Sequence, residues 1–440
     1  MAEKTKTISI TVEELKSIQQ MRKAIITIKK MKFASPFMLT SVKSPADLRY
    51  VRQWMSNFDA QNMQGVVVPL YDAERIMLSL QVDGKQKGLT ESASKKIMED
   101  KLIVLDPQLE VAHSKFEPKT KMTLNLPEKY AELFKNRKDI KDMNKEYERF
   151  LNYLTENTSQ FVSGMLVSQI SNRANLLLAP SPLIMNEHPD SLAVSIKINR
   201  LTKSICEVNE GWDYAYYFVL RVSDFEDEDT YKAILKVIGE DSPPAVFFKI
   251  IDIEYLDSRN SMVQRQNIKD FLKSLRVVTK SKKITSTFLN VDAMGLFLVY
   301  SGIDGMSTPV DGIISLRVYG GGKNKNLAPE YRGRYFLYSW MAFIPYRALI
   351  KLRKTLGTIP CPNGCCDEYD KLDLKKLGVH EKAQFSRLHY LNTINAYLSE
   401  LHKGIEEDNA RAFENKLKNS SCVNYVDMLP SEAMLPFPIK

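Results

Sequence analysis

Three of the chain's five cysteines fall within six positions, in "IPCPNGCCDEY" (359–369). Cys361, Cys365 and Cys366 flank a turn seeded by Pro362, Asn363 and Gly364, and His389 follows 23 residues after Cys366. Three thiolates from a tight turn and one imidazole from a helix complete a closed tetrahedral shell of the Cys3His type, the pattern of a structural zinc site. His380 competes for the fourth position, and Asp367 can stand in for a thiolate. Buried unligated cysteines and a nucleophilic thiol are the other readings, but no His with Asp or Asn stands at a spacing that identifies an activating base. The N-terminus "MAEKTKTISITVEELK" lacks an apolar signal core, and no window approaches the roughly 18–20 apolar residues of a membrane span. The expectation is a cytoplasmic protein with no membrane partner, where clustered cysteines are metal ligands before they are disulfides.

Carboxylates are the second chemical signal. Asp106 closes "LIVLD", Asp224 follows "VLRVS", Asp252 and Glu254 end "FFKIIDIE", and Asp292 ends "FLNV". Asp304 and Asp311 flank the last strand candidate in "GIDGMSTPVDGIISLR". Acids gathered on one rim can supply a nucleophile and a general acid or base, although a single Asp at a strand end is more often the N-cap of the next helix.

Elements that can position these groups recur along the chain. Short apolar runs at 36–41, 65–71, 102–107, 175–182, 216–222, 246–253, 285–291 and within 303–317 alternate with helix-like segments. Runs apolar throughout suit parallel strands covered on both faces. Eight such units over about 280 residues predict an α/β fold, a (β/α)8 barrel over 34–320. No glycine fingerprint follows the first strand to favour an open nucleotide-binding sheet. Residues 114–158 read as a mostly helical insertion above the barrel mouth, and 321–440 as a C-terminal zinc-binding helical subdomain. Within it a long helix follows the cysteines, with Gly404 as its stop. At 1–33, "ISITV" predicts a strand; Thr11 and Glu14 at capping-box spacing, with Leu15, Ile18, Met21 and Ile25 behind them, predict a helix.

The net charge of +9 is concentrated. Residues 262–283 carry seven Lys/Arg against one Asp, and 317–354 nine against one Glu. The second stretch interleaves its cations with eight aromatics, as in "YRGRYFLYSW", which suits phosphates and stacked bases. Arg317, Lys323, Lys325, Arg332, Arg334 and Tyr335 are the candidate nucleic-acid contacts, with a solvated basic face and subdomain core packing as the plainer readings.

With these features together, the chain resembles the tRNA-guanine transglycosylase superfamily, whose members are (β/α)8 barrels with a C-terminal Cys3His zinc site. The likeness spans roughly residues 36–418 and rests on three places. The cysteine cluster is followed by a helix bearing His389 and "HYLNTINAYLSELHKGIEEDNARAFENKL"; "VDGIISLR" resembles the nucleophile segment, mapping to Asp311 and Arg317; "LIVLDPQ" resembles the strand ending in the second acid, mapping to Asp106. The chain departs from the family in having Cys-x3-Cys-Cys for Cys-x-Cys-x2-Cys, and "DPQLEV" where the family has Asp-Ser-Gly-Gly. A second register, through "GIDGMS", puts Ser307 at the nucleophile position and a silent barrel in prospect. The resemblance implies exchange of guanine for a 7-deazaguanine-type free base in tRNA or DNA, a structural Zn2+, and a homodimer or a heteromeric partner subunit. The alternatives are a catalytically silent nucleic-acid-binding barrel, and an unrelated barrel enzyme acting on a small phosphorylated or sugar-like substrate.

Overall fold

The computed structural model describes residues 10–18, 21–29, 31–57, 59–82, 101–113, 126–136, 139–221, 223–224, 227–251, 266–291, 294–310, 334–337, 342–359, 361, 364–407 and 409. Three strands open the chain: β1 (Ile10–Ile18), β2 (Met21–Ile28) and β3 (Met31–Ala34), paired antiparallel in that order. The helix expected from the Thr11/Glu14 spacing is therefore a strand. Along β2, Ala24, Ile26 and Ile28 are buried while Lys23, Ile25 and Thr27 are not, the period of two that a half-buried strand requires. The density of Ile, Thr and Val here favours the pleated conformation over a capped helix.

The next strands are β4 (Phe37–Ser41), β5 (Met63–Pro69), β6 (Leu102–Asp106), β7 (Leu177–Leu178), β8 (Leu183–Ile184), β9 (Tyr214–Arg221), β10 (Ala245–Ile251), β11 (Thr285–Leu289) and β12 (Gly305–Pro309). The sheet runs β6-β5-β4-β12-β11-β10-β9-β7, with β8 also parallel to β9. A parallel bridge from Val104 to Leu176 links its two ends. Taking β7 and β8 as two pieces of one strand interrupted at 179–182, this is a nearly closed eight-stranded parallel barrel in sequence order. The apolar runs fall on its strands; in β10, "AVFFKII", every residue is buried.

Helices α1 (Pro45–Asn57), α2 (Ala73–Val82), α3 (Glu128–Glu132), α4 (Met143–Glu156), α5 (Thr158–Ser171), α6 (Asp190–Val208), α7 (Glu228–Asp241), α8 (Gln266–Lys282) and α9 (Met294–Tyr300) connect the strands. The described part of the expected insertion is helical, as α3 and α4. Tyr147 on α4 hydrogen-bonds through its hydroxyl to the Leu183 carbonyl near the C-terminal end of the strands. The two ends of the barrel differ. At the N-terminal end, Gly305 leaves room for the Phe37 ring, whose nearest atom lies 2.3 Å from where a Cβ would stand. The N-terminal sheet covers this end, and Arg22 reaches the Ile284 carbonyl just below β11.

The C-terminal part is not wholly helical. β13 (Arg334–Leu337) and β14 (Ala342–Pro345) form an antiparallel hairpin, followed by α10 (Tyr346–Leu356), α11 (Asp367–Asp370) and α12 (Val379–Glu406). Tyr335, Leu337, Ile344, Leu349, Leu352 and Phe385 build a core separate from that of the barrel. Helix α12 runs through Gly404 rather than stopping there. Its later turns belong to the barrel: Tyr390, Leu391, Ile394, Leu398 and Leu401 join the main core, and the Tyr390 and Thr308 hydroxyls lie 2.6 Å apart. One helix thus spans both cores, with His389 at the junction. Among the described residues, no helix is long and apolar enough to cross a membrane.

Candidate functional site

The turn after α10 and the first half of α12 bring Cys361, Cys365, Cys366 and His389 together, their ligand atoms all within 4.8 Å of one another. The Cys361 and Cys365 sulfurs are 3.3 Å apart and those of Cys365 and Cys366 3.9 Å. His389 Nδ1 lies 3.7, 3.3 and 3.1 Å from the sulfurs of Cys361, Cys365 and Cys366. A tetrahedral ion with Zn–S of about 2.3 Å and Zn–N of about 2.0–2.1 Å sets S···S near about 3.8 Å and S···N near about 3.5 Å, so the four donors stand close to the required spacing. His389 Nε2 donates to the Phe336 carbonyl at 2.7 Å, which leaves the Nδ1 lone pair facing the sulfurs. The Tyr335 ring stacks on the imidazole at 4.1 Å and 13°, and its hydroxyl lies 3.4 Å from the Cys366 sulfur.

These four residues can hold a metal ion, and their protonation shows what an ion resolves. The Cys361 thiol is pulled down, first by hydrogen bonds from Cys365 and Cys366 and then by His389. Burial pushes the Cys366 thiol up. Burial also disfavours an imidazolium at His389, but hydrogen bonds to Cys361 and Cys365 outweigh it and raise the group to about 9. Ligation requires thiolates and a neutral imidazole, so binding an ion displaces these protons.

A second charged cluster lies inside the barrel. Asp106 on β6 and Lys249 on β10 belong to strands that are not neighbours, yet Lys249 Nζ is 2.7 Å from Asp106 Oδ2 across the interior. The same ammonium bonds Glu110 Oε1, from the turn that follows β6. Tyr217 on β9 donates its hydroxyl to Asp106 Oδ1 at 2.9 Å. Gln108, in the left-handed region with φ 53°, turns its backbone N–H back onto Asp106 Oδ1 at 3.1 Å, and its amide approaches Oδ2 at 3.4 Å. Lys249 is held charged: burial works against it, but the two carboxylates outweigh that cost. Glu110 is pushed up, chiefly by burial, with Asp106 adding to the shift and Lys249 opposing it. Two carboxylates around one cation at the C-terminal end of a parallel barrel are placed where barrel enzymes carry their chemistry.

The other candidates separate from this pair of clusters. Asp304 precedes β12, at the opposite end of the barrel from Asp106. It binds Arg22 bidentately and accepts from the backbone N–H and hydroxyl of Ser286, so it fastens the N-terminal sheet. Asp224 is buried at the C-terminal end, paired with Arg221 and accepting from the Asn186 N–H. Ser307 lies within β12, 2.8 Å from the Ser41 hydroxyl, rather than at its end. Tyr335 is corrected most clearly: it is fully buried against His389, inside the second core, and offers no face to a nucleic acid. Arg334 begins β13. Asp252, Glu254, Asp292, Asp311, Arg317, Lys323, Lys325 and Arg332 lie outside the described residues. Sequence reasoning missed Lys249, Glu110 and Tyr217. The one signal for Lys249 was a cation in the middle of an apolar strand, which must find a counter-charge or stay neutral.

Fold and clusters together define the class: a parallel α/β barrel of the TIM type carrying a possible Cys3His metal centre at the junction with a small C-terminal subdomain. Compared with known proteins, the chain matches no family model and no curated sequence.

Proposed function

We propose that this chain is a base-exchanging transglycosylase acting on tRNA or DNA, with a structural zinc ion at Cys361, Cys365, Cys366 and His389. The observation that carries the reading is the inward-facing Asp106 at the C-terminal end of a parallel barrel, in a chain where Val310 and then Asp311 follow the last barrel strand in sequence. Ser307 sits inside that strand, so the register that makes Asp311 the nucleophile is the one that starts chemistry beyond a strand end. A closed four-residue shell leaves no open position for a substrate, so the zinc serves to fasten the cysteine turn to α12.

In this reading the Asp311 carboxylate attacks C1′ of the target nucleoside and displaces the base, forming a glycosyl ester. A carboxylic acid at the barrel mouth protonates the departing base and later takes a proton from the incoming one. The target nucleotide must leave its stack, which costs a few kcal/mol and favours a loop or a single strand. The cations of 317–354 supply phosphate contacts, while Tyr335, Phe336 and Tyr346 are buried and take no part in stacking.

Labelled guanine, offered with bulk tRNA and with DNA, tests the reading. The wild type is expected to incorporate label into one of them. Asp311→Ala should abolish incorporation while retaining binding that weakens steeply with salt. Undiminished exchange by the variant, or none by the wild type on either polymer, contradicts it. The purified protein should also carry about one zinc per chain, as a single closed site requires, and His389→Ala should lose it.

A further inference from the structure

The barrel cluster is out of balance in a way that identifies where a proton is kept. Asp106 accepts from Lys249, from the Tyr217 hydroxyl, and from the backbone and side chain of Gln108. Among the described residues, the side-chain partner of Glu110 is Lys249, at Oε1, and its Oε2 is buried with no hydrogen-bond partner. The side chains of Lys249, Asp106 and Glu110 are 5, 1 and 2% exposed, so water does not neutralise the excess charge. With both acids ionised, one cation would face two anions among the described residues of the cluster, and one of those anions would carry a bare oxygen. A buried unpaired charge of this kind is avoided by taking up a proton.

We propose that Glu110 is the proton-holding acid of this centre and the group that protonates the departing base, with Asp106 serving to fix and charge Lys249. This rests on the transglycosylase reading for the identity of the base, and it reassigns the acid from Asp106 to Glu110. As the C1′–N bond breaks, its electron pair goes to the base nitrogen system, which takes the proton from Glu110 Oε2. The resulting carboxylate is offset by the Lys249 ammonium. When the incoming base attacks C1′ and displaces the Asp311 carboxylate, its N–H proton returns to Glu110, so protons and charge balance over the cycle.

The upward shift of Glu110, due first to burial, agrees with this geometry. The ionisable groups that act on it are Asp106, Lys249 and the buried tyrosines Tyr130 and Tyr147. Burial keeps both tyrosines protonated, so they add no charge.

The test uses the full chain labelled with 13C at glutamate carboxyls, read by isotope-edited infrared spectroscopy at neutral pH. A protonated-carboxyl band is expected in the wild type and should be absent from Glu110→Gln. The same variant should slow base exchange at least about 100-fold, the loss typical of removing a general acid. It should also lose the acid group's limb of the pH–rate profile. Absence of the band from the wild type overturns the proposal without reference to any variant. Retention of the band or of the exchange rate in Glu110→Gln overturns it as well. A wild type that shows the Glu110 band but exchanges no base refutes the transglycosylase reading, while supporting Glu110 as the holder of the proton.

Discussion

The barrel buries an ion cluster at each end, and the two are built differently. At the N-terminal end, one Arg22 meets one Asp304. The guanidinium also bonds the Ile284 carbonyl, and the carboxylate also accepts from Ser286. Charges cancel and the carboxylate oxygens are fully engaged. At the C-terminal end, one Lys249 serves Asp106 and Glu110 together, and one glutamate oxygen has no partner among the described residues. The balanced cluster ties the N-terminal sheet to the barrel. The unbalanced one keeps a proton that can move. The comparison teaches that burial alone does not distinguish structural from chemical charge; the count of charges and open lone pairs does.

The largest expected effect breaks the balanced end. Arg22→Met leaves Asp304 buried without its partner and should cost about 3–5 kcal/mol, read by denaturant unfolding. The loss should fall on stability, with exchange chemistry per folded molecule unchanged. If that variant is as stable as the wild type, the contrast between the ends fails.

A smaller effect sharpens the comparison through pH. Glu110 is raised from the ordinary value of 4.5, so above that pH the folded state holds a proton the unfolded chain has released. Its contribution is therefore greatest at low pH and is lost as the pH climbs from about 4.5 through the raised folded value. Glu110→Gln should flatten this decline across that window. Equal slopes in wild type and Glu110→Gln would contradict the assignment.

Much of this architecture could be read from particular residues. Apolar runs such as "GVVVPLY" and "VFFKIIDI" placed the barrel strands, because a strand covered on both faces has no polar side to obscure it. The cysteine triplet and His389 were legible because metal ligands are scarce residue types at short spacing. The N-terminal sheet was not, since Leu15, Ile18, Met21 and Ile25 fit a helical period, although β-branched Ile10, Thr11 and Val12 precede them and Ile26, Thr27 and Ile28 follow. Lys249 and Glu110 were hidden by distance: 139 residues separate them, and only barrel closure makes them neighbours. Tyr335 misled because an aromatic directly after Arg332 and Arg334 fits a stacking platform as well as the inner wall of a metal centre.

The proposed transglycosylase chemistry requires a covalent intermediate on Asp311. Wild-type protein mixed with tRNA or DNA, quenched by denaturation and digested, should yield a glycosylated peptide detected by mass spectrometry, with the modification on Asp311. An adduct on another carboxylate, or none under conditions where base is exchanged, would contradict it.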